Sequence, residues 1–171
     1  MLFFTRLPSG RRHIYSGQPV KNVPLQGLAT FTAVAVGADG AAAPADVAAA
    51  VTRDTVLVTV MHSNNEIGTV QPLRAISDAA RAAHARLAAA DATGKKALPP
   101  PPPPLLVHTD AAQSMGKVRV DADALGVDMI TIVGHKFGAP KGIAALYRRA
   151  AAAPRVASII HGGGACHTCC F

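Results

Sequence analysis

The stretch that decides the fold is residues 105–142, LLVHTDAAQSMGKVRVDADALGVDMITIVGHKFGAPKG. It opens on an apolar run, Leu105, Leu106 and Val107, that stops at His108-Thr109-Asp110. A β-branched run, Met129–Val133, stops in the same way at Gly134-His135-Lys136. Short runs rich in Val, Ile and Leu with glycine beside them read as buried parallel strands. A carboxylate just past one strand and a lysine just past the next then meet at one edge of the sheet. In open α/β sheets, the carboxyl edge is where ligands bind.

Upstream, Thr55–Met61 (TVLVTVM) is the clearest strand by β-branched content, and it ends in the polar cluster His62-Ser63-Asn64-Asn65-Glu66-Ile67-Gly68. Residues 29–36 read as a strand, 37–40 as a turn and 44–51 as a short helix with proline in its first turn. Residues 72–90 carry Leu73, Ile76, Ala80, Ala83 and Leu87 at steps of three and four, the stripe of an amphipathic helix. Residues 121–125 read as one or two helical turns and 142–148 as a further strand. The order β-α-β-α-β-(short α)-β-β predicts an α/β layered domain, a mostly parallel sheet with flanking helices.

Residues 1–28 contain Arg6, Arg11, Arg12 and Lys21 and no acid. Such a start is either a transit-like segment or a disordered leader. Residues 91–104 include six consecutive prolines, which excludes helix interior and central strand and predicts an exposed extended insert. The three cysteines, Cys166, Cys169 and Cys170, crowd into the divergent tail 165–171. An odd, clustered count is no disulfide framework. His161 and His167 leave a zinc site open, but no second ligand cluster lies at a finger-like distance, so no metal is assigned.

The chain has 171 residues, half of them apolar, and a formal charge of +7. No stretch approaches the roughly 20 apolar residues that span a bilayer. Only 16% of residues are charged, the basic ones are scattered, and no aromatics interleave with them, which disfavours nucleic acid as a partner. Cysteine usage fits the cytoplasm, with a mitochondrial or plastid matrix as the alternative.

Three successive strand ends therefore offer Asn65, then Asp110 with Gln113, then His135 with Lys136. A lone lysine after a strand is ordinarily a solvated loop charge, and a lone aspartate a cap. Their coincidence at three strand ends is what points to chemistry. The set suits pyridoxal 5'-phosphate, which has a basic ring nitrogen and an aldehyde. Lys136 would bond the aldehyde carbon, and Asp110 would keep the ring nitrogen protonated. Gln113 and Asn65 would bond the phenolic oxygen, and His135 would meet the phosphate. His62, His84 and His108 read as structural.

The segments TVLVTVMHSNNEIGTV, HTDAAQSMGK and TIVGHKFGAPKGIAALY, followed by His161-Gly162-Gly163-Gly164, resemble the selenocysteine lyase and cysteine desulfurase family across residues 29–164. The resemblance implies the class V aminotransferase fold, as part of the large domain of a fold-type I pyridoxal-phosphate enzyme. It also implies removal of selenium or sulfur from selenocysteine or cysteine to give alanine, and a homodimer. It gives Lys136 as the Schiff-base lysine, with Asn65, Asp110, Gln113 and His135 on the cofactor. Val133 stands where desulfurases usually carry a hydroxyl residue, and the proline insert is similar to a lyase loop; both lean towards selenium. The family's phosphate loop, substrate-binding arginine and catalytic cysteine have no counterpart here. The expectation is thus a central portion of such an enzyme, inactive by itself, or else a non-catalytic remnant of the cofactor cleft with a binding or regulatory role.

Overall fold

The computed structural model describes residues 2–6, 30–91 and 104–155. Its strands are β1 (Leu2–Arg6), β2 (Thr30–Val34), β3 (Thr55–Met61), β4 (Leu106–Asp110), β5 (Met129–Val133) and β6 (Ala144–Arg148). Its helices are α1 (Pro44–Ala50), α2 (Leu73–Asp91) and α3 (Ala122–Leu125). The strands form one sheet in the order β2-β1-β3-β4-β5-β6. β3, β4 and β5 run parallel, and β6 returns antiparallel to β5. These four make the mixed, mostly parallel unit that the sequence predicts, and β1 and β2 extend it antiparallel.

The parallel pairs follow from their connections. α2 lies in the connection from β3 to β4 and α3 in the connection from β4 to β5, and each connection as a whole is long enough to carry the chain back to the starting edge. One sheet face presents Val58, Val60, Val107 and Ile130 to the helices, where Val47 of α1 and Leu73, Ile76, Ala80 and Ala83 of α2 are buried. Full burial of a side chain such as Leu73 or Ile76 stabilises by about 1.5–3 kcal/mol. The stripe expected on α2 is present except at its end, where Leu87 is exposed. The opposite face holds a smaller cluster of Leu57, Leu106 and Met129, closed by Ala152 from a 3-10 turn at Ala150–Arg155.

α3 is short because both of its ends are fixed. Asp121 accepts hydrogen bonds from the Asp123 and Ala124 amides, and Gly126 caps the other end at φ 69°. The same bonds, Ala124 foremost, with Arg119 beside it, lower the Asp121 pKa. The Gly126 carbonyl then accepts from Ser77 of α2 at 2.6 Å, which seats the loop entering β5.

Two expectations need correction. The 1–28 leader reading did not foresee β1, yet Leu2-Phe3-Phe4-Thr5 is an aromatic and β-branched run of the kind strands favour. The strand expected to stop at Val107 continues to Asp110, because its polar side chains find partners within the sheet. Thr109 donates to the Val60 carbonyl at 2.8 Å, and both nitrogens of His108 are bonded. All of the proline run but Pro104, which is exposed, lies outside the described residues, as do the Cys-rich tail, the 161–164 segment and most of the leader.

Candidate active site

The loop after β3 is fixed by its own sequence. His62 donates its amide to the Asp110 carbonyl at 2.8 Å, which locks the ends of β3 and β4 together. The Asn64 side chain accepts from the Glu66 and Ile67 amides, an Asx turn, and Gly68 closes the loop at φ 74°. Asn65 stands exposed on this loop. Gln71, buried, clamps the loop from behind by donating to the Gly40 carbonyl at 2.7 Å and accepting from the Ala42 amide at 2.8 Å.

After β4 the chain turns under Asp110, whose Oδ1 accepts from the Ala112 amide at 2.8 Å. The Ala111 amide donates to the Thr131 carbonyl of β5 at 2.9 Å. Gln113 follows, half-buried, and its Oε1 accepts from Lys117 Nζ at 3.4 Å. Ser114 is fully buried, and its hydroxyl meets that of Ser63 at 2.6 Å. This bond joins the loop carrying Asn65 to the turn carrying Gln113.

Beyond β5, Gly134–Lys136 forms one 3-10 turn that presents His135 and Lys136 to solvent. The turn is anchored by the Gly134 amide, which donates to the Ile143 carbonyl at 2.9 Å, and by its carbonyl, which accepts from the Phe137 and Ala139 amides. A Cβ at Gly134 would lie 3.0 Å from the Ala139 Cβ and 3.1 Å from the Ile143 carbonyl oxygen. The Gly134→Val variant is therefore expected to be destabilised by about 1–3 kcal/mol and to displace Lys136. Urea unfolding together with the position of Lys136 in a crystal structure of the variant checks both; an unshifted turn at unchanged stability would show that the close approach is not required.

The three histidines expected to be structural have distinct environments. His84 and His62 are buried, and burial lowers both pKa values; for His84 a hydrogen bond with the Arg53 backbone opposes the effect. Among the described residues, His62 Nδ1 and His84 Nε2 have no hydrogen-bond partner. His108 lies between strands, with Nδ1 2.6 Å from Thr59 Oγ1 and Nε2 2.9 Å from Thr131 Oγ1. Burial lowers its pKa to about 4, against the opposing pull of the Asp110 carboxylate.

A histidine that must stay neutral in the fold destabilises it in acid. The unfolded ring takes a proton near pH 6.5, whereas the folded ring resists until about pH 4. Stability is thus complete above pH 6.5 and falls as the pH drops towards 4. His108 alone is expected to remove roughly 2–3 kcal/mol by pH 4.5, with His62 and His84 acting in the same direction. Denaturant unfolding at pH 7 and pH 4.5 checks this, since His108→Gln flattens that part of the profile; an unchanged slope in the variant would refute the assignment.

All five predicted site residues thus belong to strand ends or loops at the carboxyl edge of β3, β4 and β5. Asp110 terminates β4 opposite Thr131 of β5, five residues before Lys136. The edge gathers one carboxylate, two primary amides, one imidazole and one primary amine. Among the described residues no cluster of His, Cys, Asp or Glu is arranged to hold a metal ion, and no helix is long and apolar enough to cross a membrane. The sequence reading missed Ser63, Ser114 and Gln71, which brace the loops rather than face a ligand. It also missed the two threonine partners of His108. Alternation along β3 and β5, which puts Thr59 and Thr131 on the His108 face, was the available signal.

A layered α/β domain with these groups at the carboxyl ends of parallel strands has the architecture of the fold-type I pyridoxal-phosphate enzymes. The chain belongs to the aminotransferase class-V family, whose model matches residues 16–96 and 104–171. The match starts upstream of residue 29, where the motifs alone placed the boundary, and continues through the tail. The chain is 42% identical over 128 residues to the cysteine desulfurase IscS of Azotobacter vinelandii, covering 75% of this chain and 27% of that one. IscS of Dictyoglomus turgidum is 36% identical over 133 residues, 78% of this chain and 28% of the relative. The chain therefore spans little more than a quarter of the length of these relatives. Among solved structures it resembles SspA in complex with cysteine, at TM-score 0.58 and 37% identity over 74% of this chain and 31% of that one. DndA from Streptomyces lividans superimposes at TM-score 0.54 and 34% identity, over 75% of this chain and 32% of that one.

Proposed function

We propose that this chain forms part of the cofactor cleft of a pyridoxal-phosphate-dependent enzyme that removes sulfur or selenium from cysteine or selenocysteine and leaves alanine. The observation that carries this is the gathering of Lys136, Asp110, Gln113 and Asn65 at one sheet edge in a chain of the class-V family. The donor set fits the group: a carboxylate for a basic ring nitrogen, amides for a phenolic oxygen and an amine for an aldehyde. When bound, pyridoxal phosphate supplies an electron-accepting ring and a reactive carbonyl carbon. Asp110, held by the Ala112 amide, keeps a proton on the ring nitrogen. Gln113 and Asn65 orient the ring by donating to its phenolic oxygen, and His135 donates to the phosphate. Lys136 would hold the cofactor through its aldehyde carbon.

A small amino acid is the substrate class, as the cysteine bound to SspA suggests. Val133, ahead of Gly134-His135-Lys136, favours selenocysteine over cysteine. The working form is a homodimer in the cytoplasm. The test supplies the full-length protein with cofactor and either cysteine or selenocysteine, then measures alanine together with sulfide or selenide. Alanine from either substrate supports the function, and no alanine from both refutes it.

The second reading is a cleft that holds cofactor without turnover. The small share of the relatives' length that this chain spans favours it for the 171-residue polypeptide taken alone. Measured separately, that polypeptide is expected to release no alanine; turnover near that of a full-length relative would exclude the second reading.

A further inference from the structure

We propose that His108 is a positioning residue for this edge. Its ring, held between Thr59 and Thr131, ties the ends of β3, β4 and β5 together and fixes Asp110 for the cofactor ring, an inference that rests on the function proposed above. Thr59 pairs with His108 across β3 and β4, and Thr131 pairs with Asp110 across β4 and β5. Parallel register puts all four side chains on one face of the sheet. The imidazole reaches sideways to Thr59 at 2.6 Å and forward along the sheet to Thr131 at 2.9 Å. One side chain thus bridges three strands immediately below Asp110.

A neutral imidazole has one donor and one acceptor nitrogen, and a threonine hydroxyl can serve as either. Two bonds made at once fix the ring plane, and the two hydroxyls can satisfy either tautomer. Leu106, two residues before His108, and Met129, its register partner on β5, lie on the same face of the sheet in the smaller apolar cluster. What the bridge holds is measurable through three amides. His62 donates to the Asp110 carbonyl, Ala111 to the Thr131 carbonyl and Ala112 to Asp110 Oδ1. Each reports the spacing or orientation of a strand end that carries the site.

The experiment is residue-resolved amide exchange on the full 171-residue chain as wild type, His108→Phe and His108→Gln. Ile76 in α2 and Asp128 before β5 serve as internal references. Phenylalanine keeps the ring and loses both bonds, whereas glutamine retains one donor and one acceptor. The expected result is exchange at His62, Ala111 and Ala112 about tenfold faster in His108→Phe than the references account for, with recovery in His108→Gln. A general loss of stability would accelerate all five amides alike, and that outcome, or no change, overturns the proposal. If His108→Phe does not fold, Thr59→Val and Thr131→Val each remove one bond, and absence of the same local pattern in both overturns it too.

A cofactor arm separates this inference from the function it rests on. Borohydride reduction after addition of pyridoxal phosphate is expected to label Lys136 in wild type and severalfold less in His108→Phe. Equal labelling overturns the role towards the cofactor. An unlabelled wild type counts against the proposed function, while the exchange pattern still decides whether His108 holds Asp110.

Discussion

Replacing Lys136 by alanine is expected to remove the borohydride-reducible adduct with pyridoxal phosphate and, on the function proposed above, to lower turnover of the complete enzyme by roughly three orders of magnitude or more. The size of the effect follows from the proposed role, since among the described residues neither of the other two lysines is placed on this turn to supply the amine. Lys117 is committed elsewhere, donating to Gln113 in the turn after β4. Lys141 is exposed further along the loop between the 3-10 turn and β6. Lys136 alone lies on the turn that Gly134 pins to Ile143. Peptide mapping of the reduced protein by mass spectrometry is the measurement. Label on Lys117 or Lys141 with none on Lys136 would reassign the site, and undiminished turnover in Lys136→Ala would remove the lysine from the mechanism.

The largest effect on stability is expected at Asp128, far from the chemistry. Its buried carboxylate accepts at Oδ2 from the Val107 amide at 2.8 Å and from Arg81 of α2 at 2.7 Å. Arg81 also reaches the Gly126 and Leu105 carbonyls. The Asp128 backbone serves both sides as well, donating to the Val107 carbonyl and accepting from the Arg149 amide. One residue therefore ties β4, α2, β5 and the end of β6. Asp128→Ala leaves a buried amide in β4 without its acceptor and Arg81 without its anion, at about 3 kcal/mol. The guanidinium is partly exposed, so solvent screens the charge and the orphaned amide is the larger part. Urea unfolding of the wild-type and Asp128→Ala chains measures this; a difference below about 1 kcal/mol would show that water replaces the carboxylate.

How much of this was legible in the sequence depended on whether the signal was local. β3 and β5 were read to the residue because unbroken β-branched runs flanked by turn residues leave little choice. The end of β4 was misjudged because His108-Thr109-Asp110 is polar in sequence, although its side chains are satisfied by Val60, Thr59 and Thr131 on neighbouring strands. β1 was hidden by the basic, acid-free composition of the segment around it. The candidate residues stood out because their types match one chemistry at three strand ends. What braces them did not, since Ser63 and Ser114 lie 51 positions apart and Gln71 reaches back 31 to Gly40. Neither pair follows any helical or strand period.

The parallel order of β3, β4 and β5 also sets when this site can exist during synthesis. Each pairing must wait for a crossover segment to be complete, so the contacts are non-local and slow to form. Asn65 leaves the ribosome long before Lys136, and the turn carrying Lys136 is anchored only once Ile143 has followed. A nascent chain halted after β5 but short of Ile143 has all three parallel strands without the anchor of the Lys136 turn. On the function proposed above, cofactor capture would be a late event in the life of the polypeptide and could serve as a timer for completion of the sheet.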